Sequence, residues 1–359
     1  MAANKIRLGV IGANMRLGWA SRSHLPAVAA SQEVELTAVC TTKQESADES
    51  ARKFGARLTF HDYREMVAHP DIDAVAVVVR VPSHYAPTMA ALEAGKHVYT
   101  EWPLGQNTAQ AREMTDKARA KGLLTMIGLQ ARVSPALMYL KQLINEGYVG
   151  QVMSCHVSLI RDGILQRSSH RSWQRDASLG ANTLTIASGH TIDAMRFVLG
   201  EFSQFAALVG TQATEWLETD TQKKVAVTSP DNVLISGRLA NGAVASIHVA
   251  AVPYAGSGYR MEIYGSEGTV VAYSDESPQL EEIHLTGAKK GNQLKELEIP
   301  ARFNFVPGMP QGEPYNVGQM YHRFGQAIRS GRKCEPDFDT AMELHRLVDK
   351  IRESSNRGF

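Results

Sequence analysis

The stretch Ile6-Arg7-Leu8-Gly9-Val10-Ile11-Gly12-Ala13-Asn14-Met15-Arg16-Leu17-Gly18 decides the fold. An apolar run ends on Gly12, a short turn follows, and Gly18 leads into a segment with helical spacing around SHLPAVAAS. Strand, glycine turn and helix in that order are what a dinucleotide pyrophosphate needs. Glycine lets the backbone come close to the phosphates, and the next helix presents free N–H groups and its positive end to them. The string is a variant, since a strict G-x-G-x-x-G has glycine where Asn14 stands and places its last glycine about one residue earlier. A glycine-containing strand-to-helix turn without a ligand fits the same letters. Gly12, Asn14, Met15 and Arg16 are the candidate cofactor contacts of this turn.

Outward from this turn, Val34–Thr41, Ala74–Val79, His97–Glu101 and Leu124–Leu129 read as further buried strands, rich in β-branched residues and bounded by turn signals. Between them lie segments of helical spacing, several ending at glycine, such as QESADESARKFG and HYAPTMAALEAG. The alternation predicts a doubly wound, mostly parallel sheet of the Rossmann type over residues 1–129.

The periodicity then changes. SPALMYLKQLINEGYVG reads as a helix with Ser134 as N-cap, Pro135 at its first position and Gly147 closing it. VMSCHVSLIR, FAALVGT, NVLISGRLA, VASIHVAAV, YRMEIYG and TVVAYS alternate as strands, with a helix over HTIDAMRFVLG. Residues 130–359 are therefore expected to form an α+β domain for substrate binding and oligomerisation, built on a large, mostly antiparallel, open-faced sheet. Helices are expected over Tyr315–Ser330 and over about 338–355, the latter able to pack back near the first domain, with a surface loop over Lys289–Gln311. An apolar outer sheet face would pair subunits into a homodimer or homotetramer.

Composition narrows the function. The 359 residues carry 38 basic and 37 acidic side chains, a formal charge of +1, so no polyanionic partner is implied. Basic clusters interleaved with aromatics are missing, which argues against nucleic acid. No apolar run reaches the ~18 residues of a membrane span, and the start is too short and too interrupted for a secretory segment, so a cytoplasmic location is expected. Cys40, Cys155 and Cys334 lie far apart with no C-x-x-C spacing, and read as reduced packing residues rather than a metal site or a disulfide framework.

Cofactor choice is read at the end of the second strand, in Cys40-Thr41-Thr42-Lys43. An acidic residue here would accept hydrogen bonds from a ribose 2′-hydroxyl; hydroxyls followed by lysine suit a 2′-phosphate instead. NADP(H) is favoured, with NAD(H) possible.

Taken in order, GVIGAN with SHLPA, then VPSHYAPTMAALEAGKHVYTEWPLG, WQRDASLGANTLTIASGHTIDAMRFVLG, YGSEGTV and PDFDTAMELHRLVDKI resemble the Gfo/Idh/MocA oxidoreductases over nearly the whole chain. GWASRSHLPA, LQARVSP and SPDNVLISGRLANG resemble most the branch containing the fungal galactose-pathway repressor, a non-catalytic NADP-binding regulator. The resemblance implies hydride transfer between nicotinamide and a sugar, glycoside, polyol or similar cyclic alcohol or ketone; the alternative it carries is a regulator of the repressor's kind.

It also implies site residues. Glu101, Trp102 and Pro103 stand where the family has Glu-Lys-Pro, so the glutamate beside the nicotinamide ribose and the proline, often after a cis peptide, are kept. The lysine that helps to hold and polarise the reacting hydroxyl is not. In the second motif His190 and Asp193 match, while Ile186 replaces an Asp and Ser188 a Gly. An imidazole is suited to taking the hydroxyl proton at neutral pH, which makes His190 the candidate base, and Asp193, three residues on, either orients it or caps the helix. Val81, Pro82, His84, Glu101, Trp102 and Gln130 join the cofactor candidates. Trp102, Arg132, His170, Trp173 and Arg175 are candidates for the substrate side, with Trp102 also open to plain packing.

Overall fold

The computed structural model describes residues 5–15 and 18–358. The first six strands are β1 (Ile6–Ile11), β2 (Val34–Cys40), β3 (Leu58–Phe60), β4 (Ala74–Val77), β5 (His97–Glu101) and β6 (Thr125–Gly128). They form one parallel sheet in the order β3-β2-β1-β4-β5-β6. Every residue of β4 is buried, as expected of a central strand covered on both faces. Helices α1 (Leu25–Ala30), α2 (Gln44–Phe54), α3 (Tyr63–Ala68), α4 (Tyr85–Glu93) and α5 (Thr108–Ala120) connect the strands. Just ahead of α1 the chain opens into a π-turn over Ala20–His24. Pro26 has no N–H to give, and its ring crowds the carbonyl one turn back, so a wider turn is accommodated there.

The rest of the chain contributes α6 (Pro135–Asn145), β7 (Val152–Arg161), β8 (Gln166–Arg167), α7 (Ser188–Leu199), β9 (Phe202–Gly210), β10 (Glu215–Glu218), β11 (Lys224–Ala226), β12 (Asn232–Leu239), β13 (Val244–Ala251), β14 (Gly258–Gly265), β15 (Gly268–Ser274), β16 (His284–Lys289) and β17 (Lys295–Glu296). Eight strands form one sheet in the order β17-β16-β15-β14-β7-β13-β12-β9, antiparallel except for the β7–β13 pair. One face buries Cys155, Val157, Leu159, Ile235, Ile247 and Met261, with α6 and α7 packed against the sheet. A small sheet, β11-β10-β8, encloses Ile164, Trp216 and Val227.

The other face of the large sheet corrects an expectation. It is mixed, not apolar: in register across five strands run Leu208, Leu234, His248, Ser158 and Arg260, then Ala206, Ser236, Ser246, His156 and Glu262. Period-2 alternation that turns valines and isoleucines inward necessarily turns the intervening Ser, His and Arg outward. The large apolar side chains that stand exposed on its strands are Met153, Leu208, Leu234, Val244 and Tyr264.

Two helices end the chain, α8 (Glu313–Ser330) and α9 (Phe338–Arg357). The chain divides into one compact unit of Met1–Gln130 with Asn304–His345, and another of Ala131–Phe303 with Arg346–Phe359. This departs from a single boundary at residue 130. The fully buried Tyr321 and Phe324 of α8 set their rings against Tyr99 of β5, 5.3 and 6.3 Å between centroids, and so belong to the core of the parallel sheet. Ser354 and Ser355, at the end of α9, accept from the β9 amides of Ala207 and Val209. The expected loop over Lys289–Gln311 also contains β17 and a short 3₁₀ turn, Ala301–Phe303. No described helix is long and apolar enough to cross a membrane.

Candidate active site

In the first unit, strand order reverses between β1 and β4, and the turn after β1 lies at that switch point. Gly12 has φ +91°, and a Cβ there would fall 2.1 Å from the Val78 carbonyl oxygen, so only glycine fits. The Gly12 and Ala13 amides donate to Cys40 O at 2.9 and 3.3 Å, tying the turn to the end of β2. Asn14 and Met15 are half-buried beyond it; Arg16 lies outside the described residues. A side-chain-free backbone at the carboxyl edge of a parallel sheet fits a dinucleotide phosphate.

At the end of β2 the hydroxyl of Thr41 is turned inward, donating to Lys43 O at 2.7 Å and meeting Ser46 Oγ. It closes its own turn, and this corrects its reading as a ligand hydroxyl: in a buried position the local carbonyl captures it. Thr42 and Lys43 are exposed, Lys43 being the N-cap position of α2. The neighbouring Cys40 thiol is pushed up to about 12 by burial, with the charges of Asp62 and Glu65 adding to it, so it is an inert packing group.

Val81 and Pro82 begin a 3₁₀ turn, Val81–Ser83. His84 follows it, buried, with Nδ1 2.8 Å from Pro103 O and Nε2 3.0 Å from Val79 O. Burial holds its pKa below the ordinary imidazole value. Its ring clamps this turn to the Pro103 corner, so any part in cofactor binding is through the backbone it fixes. The Trp102–Pro103 peptide is cis. Trp102 is only 5% exposed, and its ring lies 4.7 Å from that of His345 on α9. A sugar-stacking Trp102 is thereby corrected to a packing residue, because its large apolar area is already covered.

Beneath the same corner lies a polar network that the sequence reading did not single out. Glu101 Oε1 is 2.9 Å from His24 Nε2, and Gln130 Nε2 donates to both carboxylate oxygens at 3.0 and 2.9 Å. His24 Nδ1 in turn lies 2.7 Å from the Tyr321 hydroxyl. Gly128 leaves space for the carboxylate, since a Cβ there would come 2.5 Å from Glu101 Oε1. Burial, and then the Glu101 charge, raise Tyr321 well above the ordinary phenol value. A hint was available: SHLPA lies in a matched stretch, and a histidine among apolar helix positions needs a partner.

In the second unit, Asn182 and Thr185 form a capping box that opens a π-turn, Thr183–Ala187, and α7 continues from it. His190 is the third residue of α7 and 5% exposed. Asp193 is fully buried and bidentate with Arg132, Oδ2 to Nε and Oδ1 to Nη2 both at 2.8 Å. Arg196 Nη1 lies 3.8 Å from Asp193 Oδ1, and its Nε donates to Glu201 at 2.8 Å. Two expectations change here: the geometry gives Arg132 a carboxylate of the protein and Asp193 a guanidinium. A planar fork matched to a carboxylate is a stronger local arrangement than either group offers alone.

His170 and Trp173 are half-buried, and Arg175 ends the 3₁₀ turn Ser172–Arg175. The Arg175 carbonyl accepts from the Thr228 and Ser229 amides at 2.9 and 3.0 Å, which anchors the segment beside β11. Among the described residues no group of three His, Cys, Asp or Glu side chains could hold a metal ion.

A glycine cradle at the switch point of a parallel sheet, on a chain with an open-faced antiparallel sheet, defines the class: a two-domain nucleotide-binding protein. Sequence profiles described as "Oxidoreductase family, NAD-binding Rossmann fold" and "Oxidoreductase family, C-terminal alpha/beta domain" match residues 6–129 and 141–358. The chain belongs to this Gfo/Idh/MocA oxidoreductase family. Dehydrogenase aclE of Aspergillus oryzae is 32% identical over 57% of this chain and 58% of its own length. The galactose/lactose metabolism regulatory protein GAL80 of Saccharomyces cerevisiae is 29% identical over 67% of this chain and 60% of its own. A solved levoglucosan dehydrogenase, in complex with NADH and levoglucosan, superposes with a TM-score of 0.85 at 25% identity, covering 99% of this chain and 98% of the other.

Proposed function

We propose that the chain transfers hydride between NADP(H) and the CH–OH carbon of a sugar, glycoside, polyol or similar cyclic alcohol, with His190 as proton acceptor. The observation that carries the reading is the place of His190, near the start of a helix whose next turn is locked by the Arg132–Asp193 pair. Oxidation of the alcohol removes a hydride and a proton together, and the bound nicotinamide supplies the hydride acceptor. A neutral imidazole takes the hydroxyl proton and returns it in the reverse direction.

Gly12, Asn14 and Met15 would hold the pyrophosphate, Val81 and Pro82 the backbone beside it, and Glu101 with Gln130 the nicotinamide end. Exposed Thr42 and Lys43 support NADP(H). The relative bound to NADH keeps NAD(H) in play, and its levoglucosan supports a cyclic sugar. His170, Trp173 and Arg175 are assigned to the substrate side. Exposed Leu208 and Leu234, neighbours in register, support self-association through the large sheet.

A second reading, a cofactor-binding regulator like GAL80, is favoured by Trp102: where the family lysine stands, a buried indole offers no ammonium. Absorbance at 340 nm across a panel of sugars and polyols, with each dinucleotide, separates the two. The enzyme gives turnover that His190→Ala lowers by ~10²-fold or more with cofactor affinity kept. Silence across the panel, together with tight NADPH binding, rejects the enzyme for the regulator.

A further inference from the structure

The His24 network raises a physical question, since three polar side chains from distant parts of the chain converge under one carboxylate. His24 is fully buried, and the Glu101 side chain is 12% exposed. An unpartnered group here would carry a large desolvation penalty, so each must be met. One proton arrangement pairs the imidazole with both its neighbours: Tyr321 O–H donates to His24 Nδ1, and His24 Nε2–H donates to Glu101 Oε1, beside the two contacts from Gln130. The arrangement has a direction. Tyr321 selects the tautomer, and the tautomer aims its only N–H at the carboxylate. The rings of Tyr99 and Tyr321, at 5.1 and 5.6 Å from that of His24, leave the imidazole little room to turn.

We propose that His24 and Tyr321 are positioning residues for Glu101, holding its ionised carboxylate in the rotamer that receives the nicotinamide end of the dinucleotide. The inference rests on the cofactor reading above. The two residues touch neither substrate nor reacting atoms; they act through Glu101.

The test is calorimetric titration of the full chain with NADPH, with melting curves to confirm folding. His24→Leu removes the donor and is expected to weaken binding by about tenfold, the loss of one charge-assisted hydrogen bond. His24→Gln, whose amide can still reach Oε1, should retain most of the affinity, a rescue that a role in packing alone would not give. In a Glu101→Gln background, His24→Leu should have no further effect on the dissociation constant. Imidazole ¹⁵N shifts should report an Nε2–H tautomer that Tyr321→Phe weakens. Should His24→Leu not fold, Tyr321→Phe, which removes one buried oxygen, carries the same test with a loss of about threefold.

Folded His24→Leu that binds as the wild type does, or effects that add fully in the Glu101→Gln background, would overturn the inference alone. A wild-type protein that binds neither NADPH nor NADH would overturn the cofactor reading and the inference with it.

Discussion

Removing the Asp193 carboxylate decides whether that residue takes part in the proposed chemistry or holds the helix that carries His190. Asp193 is fully buried, and both its oxygens sit at 2.8 Å from the Arg132 guanidinium, itself 10% exposed. Asp193→Ala takes its bidentate carboxylate away from a guanidinium that is largely out of water. Arg196 cannot relieve this, since it carries the same sign and is committed to Glu201. Deleting one member of a buried pair typically costs about 3–5 kcal/mol. At roughly 2–4 °C per kcal/mol for a unit of this size, the melting transition should fall by about 10 °C. Replacing both partners, Arg132→Met with Asp193→Leu, should recover most of the loss, because two desolvated charges leave together. Thermal and urea melts, followed by NADPH titration below the transition, measure both effects. A stability change under about 1 kcal/mol for Asp193→Ala, with turnover nonetheless abolished, would refute the structural assignment.

Three further outcomes follow from the site. NADPH should bind about tenfold tighter than NADH, and Lys43→Ala should narrow the ratio without unfolding the turn, because Lys43 is exposed; equal affinities in the wild type would exclude the 2′-phosphate reading. Trp102→Lys should melt lower by a few kcal/mol and gain no turnover, since the indole fills a buried site against His345 and a lysine there would tend to lose its charge; faster turnover would show that the ammonium was the missing part. Leu234→Asp should shift the sedimentation of the protein toward monomer by placing charge between Leu208 and His248; an unchanged species would remove this face from the assembly.

Much of the fold was legible because its signals are local. β1, β2, β4, β5 and β6 are buried runs rich in β-branched residues, and β7, β12 and β13 alternate cleanly, so runs in the first case and period in the second located them. β3, β8, β11 and β17 span two or three residues, too few for a run or a period to register, and the four-residue β10, Glu215–Glu218, is neither an apolar run nor an alternation. The site divides in the same way. Gly12, Glu101 and His190 carry motif spacing and could be named. The contacts that give neighbouring residues their roles could not: His24 meets Tyr321 across 297 positions, and Arg132 meets Asp193 across 61. Each of these reads locally as an ordinary polar residue on a helix or turn. For Trp102 residue type left packing and ligand stacking both open, and for Thr41 it suggested a ligand hydroxyl; burial, not residue type, turns the indole to His345 and the hydroxyl to Lys43 O.

The exchange of lysine for Trp102 and the network under Glu101 bear on each other. Trp102 brings no charge to set against the neighbouring carboxylate, and its ring is turned to His345. Glu101 is met instead by the N–H donors of Gln130 and the imidazole of His24. Under the proposed function the dinucleotide end of the site would therefore stay intact without the ammonium, whereas polarisation of a substrate hydroxyl would not. General base catalysis by itself contributes about 10²- to 10⁴-fold, so under the proposed function a chain with His190 as base but without the lysine would retain one separable part of the catalytic effect. A slow dehydrogenase and a silent cofactor-binding regulator would then share the Gly12 cradle and the Glu101 network, and differ in what reaches His190.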